Sequence, residues 1–199
     1  MSSRIVTLPN LLTVMRMALI PVFVTLLVYQ RFGWALFVFV VAGVTDGLDG
    51  LLARKFGQGS ELGRILDPIA DKLMLVTAFI ALSQRNILPS PLPRHFPIPI
   101  WVTAAVISRD IFIIVGAAAI NIVTGFRNFR PSLLGKLSTT VQICAIIIVL
   151  VAAHFPRLSG YVLPTTYAAV FALAVASGIH YIFHLSRLLN EGGKREPES

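Results

Sequence analysis

Apolar runs of about 20 residues recur six times along this 199-residue chain, separated by short polar gaps. At a rise of about 1.5 Å per residue, a helical run of that length crosses the roughly 30 Å hydrocarbon core of a bilayer. Inside hydrocarbon every backbone polar group needs an internal partner, which helices and closed barrels alone supply, and runs this long exclude strands. The expected fold is therefore all-α: a polytopic membrane protein with six transmembrane helices at about 10–30, 33–55, 64–84, 98–123, 134–153 and 161–187. Composition agrees, since 56% of the residues are hydrophobic and only 13% charged, against roughly a quarter charged in soluble domains.

Pro9 and Asn10 mark the entry to the first helix, and the proline-rich stretch PSPLPRHFPIP forms the loop between the third and fourth. Residues 1–190 read as one membrane domain, and the polar segment 191–199, EGGKREPES, as a disordered tail. The first apolar segment contains Arg16 and has no small-residue cleavage site, so it reads as a retained span and not as a removed signal. The lone cysteine, Cys144, can form no internal disulfide and is expected to pack as a small hydrophobe.

The net charge of +8 does not indicate nucleic acid, because the basic residues are interspersed with lipid-facing sequence and suit anionic headgroups and interfacial anchoring. Arg4, Arg54, Lys55, Arg64, Arg127, Arg130, Lys136, Arg187, Lys194 and Arg195 fall on one side of a six-span topology, and Arg31, Arg85, Arg94 and Arg157 on the other. That asymmetry places both termini, and the loop joining the second and third helices, in the cytoplasm.

At that cytoplasmic end the chain reads DGLDGLLARKFGQGSELGRILDPIAD, holding Asp46, Asp49, Asp67 and Asp71. An ionised carboxylate near lipid is costly unless a cation neutralises it, so the cluster marks a site. Asp46 and Asp49 are three residues apart and Asp67 and Asp71 four apart, so each pair shares a helix face, and a short loop folds the two helices into a hairpin that brings the pairs together. Converging carboxylate oxygens suit a hard divalent cation, Mg²⁺ or Mn²⁺, with room for two ions. Gly47 and Gly50 remove side chains where a ligand or backbone comes close, Gly63 leaves the Asp67 face open, and Arg54 can grip a phosphate with two hydrogen bonds. The layout reads as a diphosphate bound to metal. A carboxylate-dependent cation or proton transporter is the alternative, but it predicts an internal repeat, and the aspartate motif has no second copy.

The spacing Asp46-x-x-Asp49-Gly50-x-x-Ala53-Arg54, eight residues, Gly63-x-x-x-Asp67-x-x-x-Asp71 resembles the full signature of the CDP-alcohol phosphotransferase family at all eight fixed positions. The resemblance implies a phospholipid-biosynthesis transferase in which a hydroxyl attacks the lipid-bearing phosphorus of CDP-diacylglycerol and CMP leaves. Asp46, Asp49, Asp67 and Asp71 would hold two divalent metals, Asp71 would also be the catalytic base, and Asp49, Gly50, Arg54 and Gly63 would bind the CDP moiety. It implies a homodimer, and with no transit peptide visible, a bacterial plasma membrane.

Within the family, LPNLLTVMRMALIP resembles the first helix of phosphatidylglycerophosphate synthases and of eukaryotic-type cardiolipin synthases. There Asn10, Thr13 and Arg16 fall at helical spacing, and Arg16 suits either an active-site role or snorkelling to the interface. Arg109 and Asp110 lie in an otherwise apolar run, which calls for an ion pair or a substrate contact. With Arg130, Ser132 and Lys136 at the entry to the fifth helix, Arg109 forms the expected acceptor-phosphate site. The expected acceptor is sn-glycerol 3-phosphate, giving phosphatidylglycerophosphate; phosphatidylglycerol, giving cardiolipin, is the alternative, and the Arg-Asp pair is the more typical of the second branch. His180 and His184, one turn apart, have no evident third metal ligand.

Overall fold

The computed structural model describes the backbone of residues 8–56, 61–87, 95–124, 133–155 and 159–192, with 8–10, 48–56, 61–68, 117–124, 159, 161 and 184–192 described by backbone alone. The described residues form six α-helices and no strand: α1 (Leu8–Val28), α2 (Phe32–Phe56), α3 (Glu61–Ser83), α4 (Ile100–Thr124), α5 (Leu133–His154) and α6 (Ser159–Gly192), with a short 3₁₀ turn at Arg85–Ile87 after α3. These match the expected apolar runs closely. The sixth helix goes beyond its run, continuing through Leu188, Leu189, Asn190 and Glu191 to Gly192; the rest of the expected tail, 193–199, lies outside the described residues.

The chain divides into two compact units, residues 1–98 with 146–163, and residues 99–145 with 164–199. In the first, α1 packs against both α2 and α3. The buried positions follow spacings of three and four: Thr13, Arg16, Phe23 and Leu27 on α1, Phe32, Ala35, Phe39 and Ala42 on α2, and Met74, Ala78 and Leu82 on α3. Alanines on these stripes let helices approach closely, which matters where lipid removes the hydrophobic drive for helices to associate. Phe23 and Phe39 fill the α1–α2 contact with ring centroids 5.8 Å apart.

Outward faces are as apolar as the core. Trp34, Phe37, Phe112, Ile114, Ile182 and Phe183 are all exposed, a surface that water does not tolerate but lipid does. Among the described residues, three helical segments, Leu11–Val28, Leu133–His154 and Val162–Phe183, are by length and composition apolar enough to cross a bilayer. The molecule is a membrane protein. Cys144, expected to pack inside, lies on the exposed side of α5, where lipid accepts a small apolar side chain as readily as a core does.

The turn from α1 to α2 is a Schellman cap: Arg31 N–H donates to the Leu26 carbonyl at 2.8 Å and Gln30 N–H to that of Leu27 at 2.9 Å. It requires Gln30 at a φ of 57°, a left-handed conformation that costs a side-chain-bearing residue about 1–2 kcal/mol. Gln30→Gly is expected to stabilise the protein by about 0.5–1 kcal/mol once the added unfolded-state freedom of glycine is set against that relief. The readout is a raised thermal midpoint of the purified protein in detergent; an unchanged or lower midpoint would contradict it.

Candidate active site

The polar groups of the first unit gather where its apolar stripes run out. Asp46 follows Ala42 by four residues on the α2 stripe, Asp71 precedes Met74 by three on α3, and Arg16 lies on the buried stripe of α1. The chain runs up α1, back along α2 and up α3, so Arg16 in the first half of α1, Asp46 in the second half of α2 and Asp71 near the middle of α3 meet at one level. Arg16 is 1% exposed. Its Nη1 donates to Asp71 Oδ1 at 2.5 Å and stands 2.9 Å from Asp46 Oδ1. Burial this deep removes the snorkelling alternative for Arg16 and makes it part of the site.

One positive charge against two carboxylates leaves the trio net negative. The arginine is the sealed member, whereas the side chains of Asp46 and Asp71 remain 43% and 40% exposed. A charged group inside a membrane protein that is only partly neutralised on its open side attracts a further cation. The donor set tests this: two hard, anionic oxygens from different helices already converge on a single cationic nitrogen, an arrangement that fits Mg²⁺ or Mn²⁺. Among the described residues no group of three metal-ligating side chains occurs. Asp49 and Asp67 lie one turn away on α2 and α3 in helical backbone, and their side chains, with those of Gly50, Arg54 and Gly63, fall outside the described residues. Beside the pair, a Cβ added at Gly47 would meet nothing within 4 Å among the described residues. Among the described residues Gly47 therefore makes no close helix contact, and it is exposed.

The second unit solves the same electrostatic problem in the opposite way. Arg109 on α4 and its neighbour Asp110 are both 5% exposed. Arg109 Nη1 donates to Asp110 Oδ1 at 2.6 Å, Nη2 to the Gly135 carbonyl of α5 at 3.1 Å, and Nε and Nη2 to Ser177 Oγ of α6 at 3.2 and 3.0 Å. One guanidinium thus ties three helices together with its charge balanced inside. Ser177 ends the buried stripe Tyr167, Val170, Ala174 of α6, and that position, a serine where the apolar spacing of three and four calls for another hydrophobe, is the signal by which it could have been found. Tyr181, one turn on, donates from its hydroxyl to the Ile113 carbonyl at 3.1 Å, and Trp101 meets Phe171 edge to face with centroids 5.0 Å apart. Of the expected acceptor-site residues, Lys136 is exposed beside Gly135, and Arg130 and Ser132 lie outside the described residues. His180 is exposed, and the side chain of His184 is likewise outside them.

Fold and site together define an all-helical membrane protein with a paired-carboxylate centre held by a buried arginine. The sequence profile of the CDP-alcohol phosphatidyltransferases matches residues 6–179, and the chain belongs to that family. It is 32% identical to a "Cardiolipin synthase (CMP-forming)" of Streptomyces coelicolor over 94% of this chain and 86% of that protein. It is 33% identical to a "Probable phosphatidylglycerophosphate synthase" of Mycobacterium tuberculosis over 99% of this chain and 89% of that one. A "CDP-diacylglycerol--glycerol-3-phosphate 3-phosphatidyltransferase 2" of Arabidopsis thaliana is 34% identical over 72% of this chain and 58% of its own length. Membership of this family of enzymes sets the transporter reading aside.

Removing Asp110 strands a buried guanidinium charge, whereas removing the Ser177 hydroxyl strands only neutral hydrogen-bonding capacity. Asp110→Ala is therefore expected to cost about 3–5 kcal/mol and Ser177→Ala about 1–3 kcal/mol. Thermal midpoints of the two variants in the same detergent check the order, and equal or reversed losses would contradict it.

Proposed function

We propose that the protein transfers a phosphatidyl group from CDP-diacylglycerol to sn-glycerol 3-phosphate, forming phosphatidylglycerophosphate and releasing CMP. The observation that carries this reading is the convergence of Asp46 and Asp71, half-exposed, on one cation within a chain that matches the family along most of its length. In the step itself, the acceptor hydroxyl oxygen forms a bond to the phosphorus that bears diacylglycerol. The bond from that phosphorus to the oxygen of CMP breaks, and the hydroxyl proton passes to the Asp71 carboxylate.

Asp46, Asp49, Asp67 and Asp71 would hold two divalent ions, Mg²⁺ or Mn²⁺, which when bound neutralise the diphosphate and stabilise the departing CMP. The chain's own contribution is position. Arg16 holds Asp71 beside Asp46 before the ions enter, so the base is already in place, and a base held in place works through proximity to the hydroxyl it deprotonates. Asp49, Gly50, Arg54 and Gly63 bind the CDP group, and the open face at Gly47 gives it access. The acceptor phosphate is held by Lys136 with Arg130 and Ser132. Arg109 serves that group through its hydrogen bond to the Gly135 carbonyl, which fixes the backbone one residue before Lys136.

All six helices span the membrane in this reading, with both termini and the aspartate site on the cytoplasmic side of a bacterial plasma membrane and two chains forming a homodimer. The support is the apolar outer surface and the distribution of Lys and Arg along the sequence. A second reading, phosphatidylglycerol as the acceptor and cardiolipin as the product, is favoured by the Arg109–Asp110 pair and by the name of the Streptomyces relative.

Purified protein supplied with CDP-diacylglycerol and Mg²⁺ is expected to release CMP when glycerol 3-phosphate is added. Release with phosphatidylglycerol instead transfers the assignment to the second reading, and release with neither sinks both. Asp71→Asn is expected to lower turnover by about 10³-fold or more while CDP-diacylglycerol still binds. Lys136→Ala is expected to raise the acceptor KM with kcat little changed; unaltered acceptor kinetics would show that the phosphate is bound elsewhere.

A further inference from the structure

We propose that Arg16 is a resident counter-cation of the Asp46–Asp71 pair, holding the two carboxylates together when no divalent ion is bound and giving up its place between them when one enters. This rests on the reading of the pair as a divalent-cation site. Arg16 Nη1 contacts Oδ1 of both aspartates, at 2.9 and 2.5 Å. A cation bridging the two carboxylates through those atoms needs the space that this nitrogen fills. The two cations therefore compete for the same oxygens, and their mutual repulsion reinforces the competition.

The arrangement also explains why a buried arginine stands at this position at all. Two carboxylates brought together at the end of a helix bundle repel each other, and the bundle pays for that with stability unless a positive charge lies between them. Arg16 is placed for this from the inside: it sits on the buried face of α1, the helix that packs against both α2 and α3. Displacement requires the guanidinium to change rotamer on its flexible side chain. Arg109 is matched one to one by Asp110 and bonded to α5 and α6 as well, so the two buried arginines differ in role. Arg16 is thus a positioning residue that sets how tightly the aspartates hold their ion.

A purely supporting role predicts the opposite sign, because removing a prop from a ligand weakens metal binding. The test uses the full chain purified in detergent and Mn²⁺ alone, with free ion read by electron paramagnetic resonance, for wild type, Arg16→Gln, Arg16→Lys and Asp46→Asn. Thermal midpoints are recorded in EDTA and in Mn²⁺. Arg16→Gln is expected to bind Mn²⁺ about tenfold more tightly than wild type, with a midpoint that falls in EDTA and recovers in Mn²⁺. Arg16→Lys, which keeps the charge on a shorter reach, shifts in the same direction by a smaller factor and decides the matter if the glutamine variant does not fold. Unchanged or weaker Mn²⁺ binding in the Arg16 variants, or a midpoint loss of equal size in EDTA and Mn²⁺, overturns the proposal and leaves the pair as a metal site. If neither wild type nor the Arg16 variants bind Mn²⁺ in a way that Asp46→Asn removes, the divalent-cation reading fails, and this proposal with it.

Discussion

A carboxylate in a helix bundle surrounded by hydrocarbon has few places to find a positive charge, and the cost of leaving it alone is larger than any single packing contact can offset. In this protein the first such charge comes from Arg16, buried on α1 and bonded to aspartates of α2 and α3. The contact determines how the three helices meet at that end, since one guanidinium nitrogen must reach both carboxylates. Away from it the helices are held by alanines and aromatic rings at spacings of three and four, contacts that set distance but specify rotation weakly. The ion-paired end supplies the rotational register, and it is also the end to which the proposed chemistry is assigned.

The two buried arginines show how charge balance separates architecture from activity. Arg109 with Asp110 is neutral, nearly inaccessible and bonded across three helices. Such a group fixes the backbone at Gly135, one residue before the exposed Lys136. Arg16 with Asp46 and Asp71 is net negative and open on its acidic side. An open, anionic centre of this kind is what the proposed divalent cations, and through them a diphosphate, would need.

Much of this was legible in the sequence because the underlying signals are physical minima of their own. Runs of about 20 apolar residues can only be helices in a bilayer, and six α-helices are found near the expected bounds. The spacing of Asp46 with Asp49 and of Asp67 with Asp71, on two helices joined by a short loop, called for the pairs to meet, and the structure brings Asp46 and Asp71 together. The partner of the pair was not legible. An arginine near the start of a membrane helix satisfies interfacial anchoring equally well, and only the folded contact with two other helices separates the alternatives. Arg109 was recognisable as a buried charge, but its engagement by Ser177 and the Gly135 carbonyl depends on residues 26 and 68 positions away, beyond the reach of local pattern. The continuation of α6 past residue 187 and the outward position of Cys144 were not legible for a related reason: hydropathy marks where lipid begins, whereas it neither stops a helix nor tells its lipid face from its packed face.

The claim on which the account turns is that the end of the bundle occupied by Asp46 and Asp71 is built for a divalent cation. A crystal structure of the protein grown with Mn²⁺ and CDP, with anomalous scattering recorded at the manganese edge, tests it most directly. The account predicts an anomalous peak bonded to carboxylate oxygens of both Asp46 and Asp71, with the Arg16 guanidinium withdrawn from between them. A structure in which manganese binds elsewhere and Arg16 still bridges the two aspartates would contradict it.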